Sequence, residues 1–561
     1  MTEWLLHPAL LLIGGALLIP LLHGKAQQVY RVALPLALVA WMFSLPQGEF
    51  GVIQVLDFEL VLARADKLSL VFGYVFSIIC VVGAVYSLHV RDNIQHVAAY
   101  IYAGSALGVV FAGDLITLYV FWEVMVFSSV WLIWRRRDPV SFAAGWRYLL
   151  VHSAGGVILL AGVVLHSMQT GSIAFNELEY TGLAFYLILV GFMINAAVPP
   201  LHAWLADAYP ESTLTGAIFL SALTTKTAVY TLIRGFPGTE ILVWLGVIMA
   251  LYGVVYAVLA NDIRRLLAYH IVSQVGYMVA GVGMGTIIAL NGATSHAFTH
   301  ILYKSLLFMG AGAVIHMTGK SKLTELGGVY RWMPITFLLY MIGALSISAF
   351  PLFSGFVSKT MVVEAAAVER LAVVWLLLSL ASAGTFLHTG LKLPWFTFMG
   401  PDRGLRPKEA PVNMLVAMAI AAFFCVFIGV YPDWLYQMLP APVDYNAYTS
   451  GHVLWELQVL LFTGLGFFLL LKHVGGEAKI SLDTDWFYRK AGPWLVHKLA
   501  GPIRATNRAI RAASGRLLQQ GLIAIQRFYG RDGVLVSAWP SGSMVLSVAI
   551  MLAILLIAAL F

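Results

Sequence analysis

AAVPPLHAWLADAYPESTLTG, residues 196–216, runs almost directly into LSALTTKTAVY at 220–230, and this stretch decides how the chain folds. The segments on either side are apolar enough to cross a bilayer, but prolines, a glycine and a lysine interrupt the pattern here. Proline and glycine free backbone groups, and at membrane depth only polar partners or a water-filled cavity can satisfy them. The arrangement returns downstream, where SAFPLFSGFVSKT at 348–360 is followed by SAGTFLHTGLKLPWF at 382–396. Each time a proline-containing re-entry precedes a span with a lysine among small and polar residues. Thr224, Thr225 and Thr227 surround Lys226; His388, Thr389, Gly390 and Pro394 surround Lys392. Paired broken segments of this kind point to a transport site built from two structural repeats. Proline and glycine are common in membrane helices, but lysines falling at the breaks favour the repeat.

The rest of the composition agrees. Of 561 residues, 60% are hydrophobic and 11% charged, against roughly 25% charged in a soluble domain. Apolar stretches of about 20 residues recur along the chain, which predicts an all-α, polytopic membrane protein of about 15 spans. The first apolar run, residues 5–22, lacks a basic leader and is expected to be kept as a span. The predicted organisation is peripheral spans and an irregular acidic loop over 1–66, a first repeat region over 67–287, and a second with its following spans over 288–472. A basic cytoplasmic segment over 473–542 and a last span over 543–561 complete it. Within that segment Arg504, Arg508 and Arg511 recur at helical spacing, with Ile503, Ile510 and Leu517 on another face. This predicts an amphipathic helix over 502–528, suited to a membrane surface or to partner helices.

The net charge of +7 is unevenly placed. Lys25 and Arg31, Arg135 to Arg137, Arg264 and Arg265, and Lys320 and Lys322 make alternate loops basic; the others carry Glu49, Asp57, Glu59, Glu177 and Glu179. The positive-inside rule puts the basic loops in the cytoplasm and the N-terminus outside, in a cell's inner membrane. No nucleic-acid partner is implied. Cys80 and Cys425 lie in apolar spans without CxxC spacing and read as packing residues.

Ionisable residues inside such spans cost several kcal/mol and usually face a polar interior where they carry function. Glu123, Lys226, the run His296, His300 and Lys304, and Lys392 succeed one another along the chain. A row that passes protons is the natural reading; polar contacts between helices are the bland one. A carboxylate beside Lys226 would keep it charged, since two unit charges about 4 Å apart interact by about 4 kcal/mol at an effective dielectric near 20. Chemistry therefore suggests a Glu123–Lys226 pair. His296, His300 and Lys304, spaced four apart, share one helix face, and histidine titrates near neutral pH. Paired histidines also suggest zinc, but no nearby acid or cysteine supplies a third ligand, so neither metal nor cofactor is expected. His388, one turn before Lys392, extends the relay. His202, Asp207 and His316 are weaker candidates near span ends, where solvated polar residues are expected. No Walker A, HExxH or G-x-S-x-G sequence is present, and the glycines of GVGMG, 281–285, mark close helix packing.

Several motifs together carry a resemblance: WE at 122–123, PLHAWLADAYPE at 200–211, TKTAVY at 225–230, DIRRLLAYHIVSQVGY at 262–277, HAFTHILYKSLLFMGAGAV at 296–314 and GLK at 390–392. They resemble the antiporter-like subunits shared by Mrp-type cation/proton antiporters, respiratory complex I and membrane-bound hydrogenases. LTELGGVYRWMP, 323–334, and a lysine at 392 look most like the D-type member of the Mrp antiporter subunits. The resemblance implies two inverted five-helix repeats, each with a broken helix, around a hydrophilic axis that moves protons. It implies Glu123 and Lys226 as an ion pair, Lys304 as the central lysine beside His296 and His300, and Lys392 as the terminal lysine. The amphipathic tail resembles the lateral helix of the largest complex I antiporter subunit. One departure stands out: EILVWLGVIMALYGVVYAVL, the span after Lys226, carries no lysine or histidine, so water or Tyr252 would have to bridge to the central cluster.

The expected function is proton translocation within a multisubunit membrane complex, with protons, a monovalent cation such as sodium, other membrane subunits and lipid as partners. The alternative is a module that scaffolds or energises another complex, such as a bicarbonate-accumulating one with a soluble zinc partner.

Overall fold

A computed structural model describes residues 7–180, 182–475, 483–530, 533 and 540–560, without the side chains at 499 and 503. The expected tail position Ile503 and the start of the first apolar run therefore lie outside the described residues. The fold is all-α and polytopic. Among the described residues, twelve helices are long and apolar enough to cross a membrane, and shorter apolar helices supplement them. Two compact units form, Met1–Asp485 and Trp486–Phe561.

The first unit opens with α1 (Pro8–Leu18) and α2 (Gly24–Ser44). The loop expected to be irregular is instead an antiparallel hairpin, β1 (Gly48–Val55) against β2 (Phe58–Ala65). Leu56, with φ 54°, and Asp57 make its tight turn, which FGVIQV and FELVLA flank with β-forming residues. Then come α3 (Lys67–Tyr86), α4 (Asn93–Phe111), α5 (Leu115–Trp134) and α6 (Pro139–Thr170). Aspartates start these helices: Asp66 and Asp138 form capping boxes with Ser69 and Ser141, and Asp114 accepts from the amides of Ile116 and Thr117.

The first interrupted stretch follows as α7 (Leu183–Asn195), α8 (Ala203–Ala208), α9 (Gly216–Ala222) and α10 (Thr224–Gly235). Next are α11 (Glu240–Leu259), α12 (Ile263–Met284) and α13 (Ile287–Thr318), then the second interrupted stretch, α14 (Pro334–Ile347) and α15 (Ser354–Val368). α16 (Ala372–Thr385) continues as wide π-turns, Phe386–Lys392 and Trp395–Met399. α17 (Val412–Val430), α18 (Asp433–Tyr436), α19 (Ser450–Leu469) and α20 (Leu471–Val474) close the unit.

The two breaks repeat one another in detail. Ala197 and Ala349 both take φ 58°, and a proline stands two residues after each. Val198 N–H reaches back to the Met193 carbonyl, and Phe350 N–H to the Leu345 carbonyl, each at 3.1 Å. The helices one further back from each break, α6 and α13, are both 32 residues long and end on left-handed glycines, Gly171 and Gly319. Glycines also bring α11 against α12: a methyl on Gly246 or Gly283 would meet the other helix's backbone at 2.3 Å.

In the second unit α21 (Gly492–Tyr529) passes through Pro502 and includes the predicted 502–528 stretch, and α22 (Ser541–Ala558) is the apolar last helix.

Candidate functional site

Lys226 sits one turn beyond the step between α9 and α10, at Leu223. The step frees the Ser221 carbonyl, and the Lys226 ammonium donates to it at 2.7 Å and to Thr225 Oγ1 at 3.1 Å. Tyr102, on α4, fixes the step by bonding the amide and hydroxyl of Thr224. Lys226 is fully buried.

Glu123 is elsewhere. It is half-buried on α5 and its Oε1 has no hydrogen-bond partner. A methyl added to Gly156 of α6 would lie 1.8 Å from that oxygen, so the carboxylate rests against the glycine. No ion pair joins Glu123 to Lys226 among the described residues. The lysine is satisfied by carbonyl and hydroxyl oxygens instead, an alternative that side-chain chemistry alone does not reveal.

The central cluster is assembled on α13. His296, His300 and Lys304 are all fully buried. The imidazoles of His296 and His300 lie 6.0 Å apart, with Tyr303 against both. Neither nitrogen of His300, nor Nε2 of His296, has a protein partner. Buried polar nitrogens of that kind call for water. Lys226 lies within electrostatic reach of His296, His300 and Lys304.

Two residues that the sequence reading passed over join this row. His270, on α12 within DIRRLLAYHIVSQVGY, places Nδ1 3.0 Å from Lys304 Nζ. Its ring stands 4.9 Å from that of His388. Lys359, on α15 within SGFVSKT, is 1% exposed, and its ammonium lies 5.9 Å from the Tyr277 ring centre and 3.4 Å from the Ile347 carbonyl. That carbonyl lies at the second break. The signal for both was present in their motifs: an ionisable residue in an apolar span. Tyr252 does not make the expected bridge from Lys226 to the cluster, since its hydroxyl bonds Asp483.

Lys392, buried on the π-turn after α16, donates to the carbonyls of Val258 and Ala260 at the end of α11. His388, one turn earlier, bonds the Gly384 carbonyl.

Two of the weaker candidates near span ends, Asp207 and His202, differ from the solvated residues expected there. Asp207 is 3% exposed and receives a two-pronged bond from Arg147 of α6, at 2.6 and 2.8 Å. His202 is fully buried, 3.2 Å from Asp483, and Asp483 also accepts from the hydroxyls of Tyr252 at 2.5 Å and Tyr269 at 2.7 Å. His316 is exposed, as expected, and packs against His89.

The family described as NADH:quinone oxidoreductase/Mrp antiporter, transmembrane, matches residues 112–387. Hydrogenase-4 component B of Escherichia coli is 30% identical over 66% of this chain, which spans 62% of that protein's length. Na(+)/H(+) antiporter subunit A1 of Staphylococcus haemolyticus is 28% identical over 88% of this chain and 71% of its own. A protein of Methanocaldococcus jannaschii is 30% identical over 59% of this chain and 73% of its own. The antiporter relative is of the A type, and the finer likeness to the D type finds no support in it. The fold is that of a chain of the archaeal membrane-bound sulfane sulfur reductase, at TM-score 0.73 and 23% identity over 98% of this chain and 99% of that one. It is also shared with a chain of the Mrp complex from Dietzia, at TM-score 0.68 and 23% identity over 81% and 98%. A chain of the Thermus thermophilus respiratory complex I gives 0.70 and 20% over 81% and 99%. Matched through both its broken helices and its buried central helices, the chain belongs to the NADH:quinone oxidoreductase/Mrp antiporter transmembrane family.

Proposed function

We propose that this chain is a proton-translocating, antiporter-like subunit of a multisubunit membrane complex, and that the buried lysines and histidines form its proton path. One observation carries the reading: Lys226, His296, His300 and Lys304 are all fully buried, with Lys226 in electrostatic reach of the other three. Charged amines are too costly to bury in a membrane for packing alone. The unpartnered imidazole nitrogens of His296 and His300 supply places where water can complete a hydrogen-bonded chain. His270 and His388 extend that chain from Lys304, and Lys359 extends it from His296. Glu123 stands apart, against α6, and acts on Lys226 only after a movement.

The matching backbone geometry at Ala197 and Ala349 supports two repeats, inverted on the likeness to the family. The basic loops face the cytoplasm on the positive-inside rule. The Staphylococcus relative's name specifies Na(+)/H(+) exchange, and on that likeness the second ion is a monovalent cation.

The test is Lys304→Ala in the intact complex, with pH-gradient formation or dissipation followed in inverted vesicles. At least a tenfold loss of proton-linked turnover, with normal insertion, is expected. Turnover equal to wild type overturns the reading.

A further inference from the structure

Between the end of α15, the start of α16 and the start of α19 lies a cavity of about 380 Å³. Thr360, Glu364, Trp375, His452, Trp455 and Glu456 line it. Glu456 is the unusual member. Its helix, α19, is largely exposed, yet Glu456 is only 7% exposed, and its Oε2 is buried without a partner. Leaving one carboxylate oxygen bare in an apolar setting is expensive, so the group belongs to a polar cavity that water can enter. Glu456 is also within electrostatic reach of the Lys359 ammonium. A buried amine, a buried acid and a cavity thus follow one another outward from the central row.

The cavity's position in the membrane follows from the chain. Glu364 is near the end of α15, Trp375 near the start of α16, and Thr449 caps α19. The opposite ends of α16 with its π-turns and of α19 lead to Arg403 and Arg406 and to Lys472, and α14, across the break from α15, starts after Lys320 and Lys322. The cavity therefore opens on the face away from the basic loops.

We propose that this cavity is the outer mouth of the proton path, with Glu456 passing protons between Lys359 and water on the face opposite the basic loops. The inference rests on the proton-translocating reading above. In the outward step a proton leaves the Lys359 ammonium, giving the neutral amine, and joins the Glu456 carboxylate, giving the acid. The acid then releases it to cavity water. Lys359 and Glu364 of α15, Tyr277 of α12, Tyr445 and His452 are the titratable groups around Glu456. Glu364 and His452 line the mouth and set its local charge.

Two measurements on the full chain in its native membrane complex test this. First, Glu456→Cys is treated with a membrane-impermeant maleimide in right-side-out and in inverted vesicles. Cys80 and Cys425 are fully buried and give low background. Labelling from the face opposite the basic loops is expected; labelling only from the basic-loop face, or from neither, overturns the mouth. Second, Glu456→Gln should lose at least tenfold in proton-linked turnover, while Glu456→Asp retains at least half. A Gln variant at wild-type turnover beside an inactive Lys304→Ala overturns the mouth and leaves the central row standing. Normal turnover in both brings down the row and the mouth together.

Discussion

Lys304 Nζ and His270 Nδ1 lie 3.0 Å apart, joining the helix of the central cluster to its neighbour. Since lysine ammonium has only donors, the imidazole nitrogen facing it is an acceptor whenever Lys304 is charged. The imidazole therefore carries its hydrogen on Nε2, a nitrogen without a protein partner, or else the lysine has given up its proton.

His270→Ala should consequently lower proton-linked turnover about tenfold or more, because it removes the link from Lys304 toward His388. His270→Gln, whose side chain can still accept, should retain more than the alanine variant. Vesicle pH-gradient measurements on both variants decide the matter. Equal turnover in alanine and wild type would show that the contact is only packing.

Where sequence could and could not reach follows from what each feature depends on. The breaks at 196–216 and 348–360 were legible because proline and glycine act on their own backbone. Burial of Lys226, Lys304 and Lys392 was legible because a charge in an apolar span has few places to go. The Glu123–Lys226 pair was not, because it depends on how α5 turns relative to α10, and local oxygens at a helix step can satisfy an ammonium as well as a carboxylate can. His270 and Lys359 were overlooked inside recognised motifs. Their significance lies in neighbours on α13 and α19, distant in sequence.

Glu123 provides a second prediction. Its carboxylate oxygen lies where the methyl of Gly156→Ala would go, so that substitution must displace it. Gly156→Ala and Glu123→Gln should each cut turnover several-fold while Lys226, held by Ser221 and Thr225, stays in place. If both act through this one carboxylate, the double variant should be no worse than the more damaging single one. Normal turnover in Gly156→Ala would mean that the carboxylate's place against α6 is immaterial.

Asp483 gives the third. Burial opposes its charge, but His202, Tyr252 and Tyr269 outweigh that and hold its carboxyl well below the usual carboxylate range. A group lowered on folding contributes stability above its unfolded value, about 3.9 for aspartate, and loses it as pH falls through the folded value. The carboxylate's own ionisation is therefore complete from about pH 5 upward. Asp483→Asn, which cannot be charged, should lower the thermal midpoint at about pH 6 by an amount corresponding to about 1–3 kcal/mol for the charged hydrogen bonds. A midpoint equal to that of wild type would show that Asp483 is not the charged partner.

Lys392 gives the last. Its ammonium meets the carbonyls of Val258 and Ala260, where α11 ends and its dipole is negative. A cation suits that place and an anion does not: the carboxylate of Lys392→Glu would face carbonyl oxygens and would have to take up a proton to bond them. Lys392→Glu should therefore be less stable than Lys392→Leu, which merely leaves the carbonyls short of a donor at a cost of about 1–3 kcal/mol. Lys392→Arg should keep most of the stability, having donors of the right charge, but should transfer protons poorly because its guanidinium does not release them near neutral pH. Thermal unfolding of the purified complex ranks the three for stability, and vesicle turnover separates arginine from wild type. An arginine variant that both folds and turns over as wild type would make Lys392 a helix cap and remove it from the path.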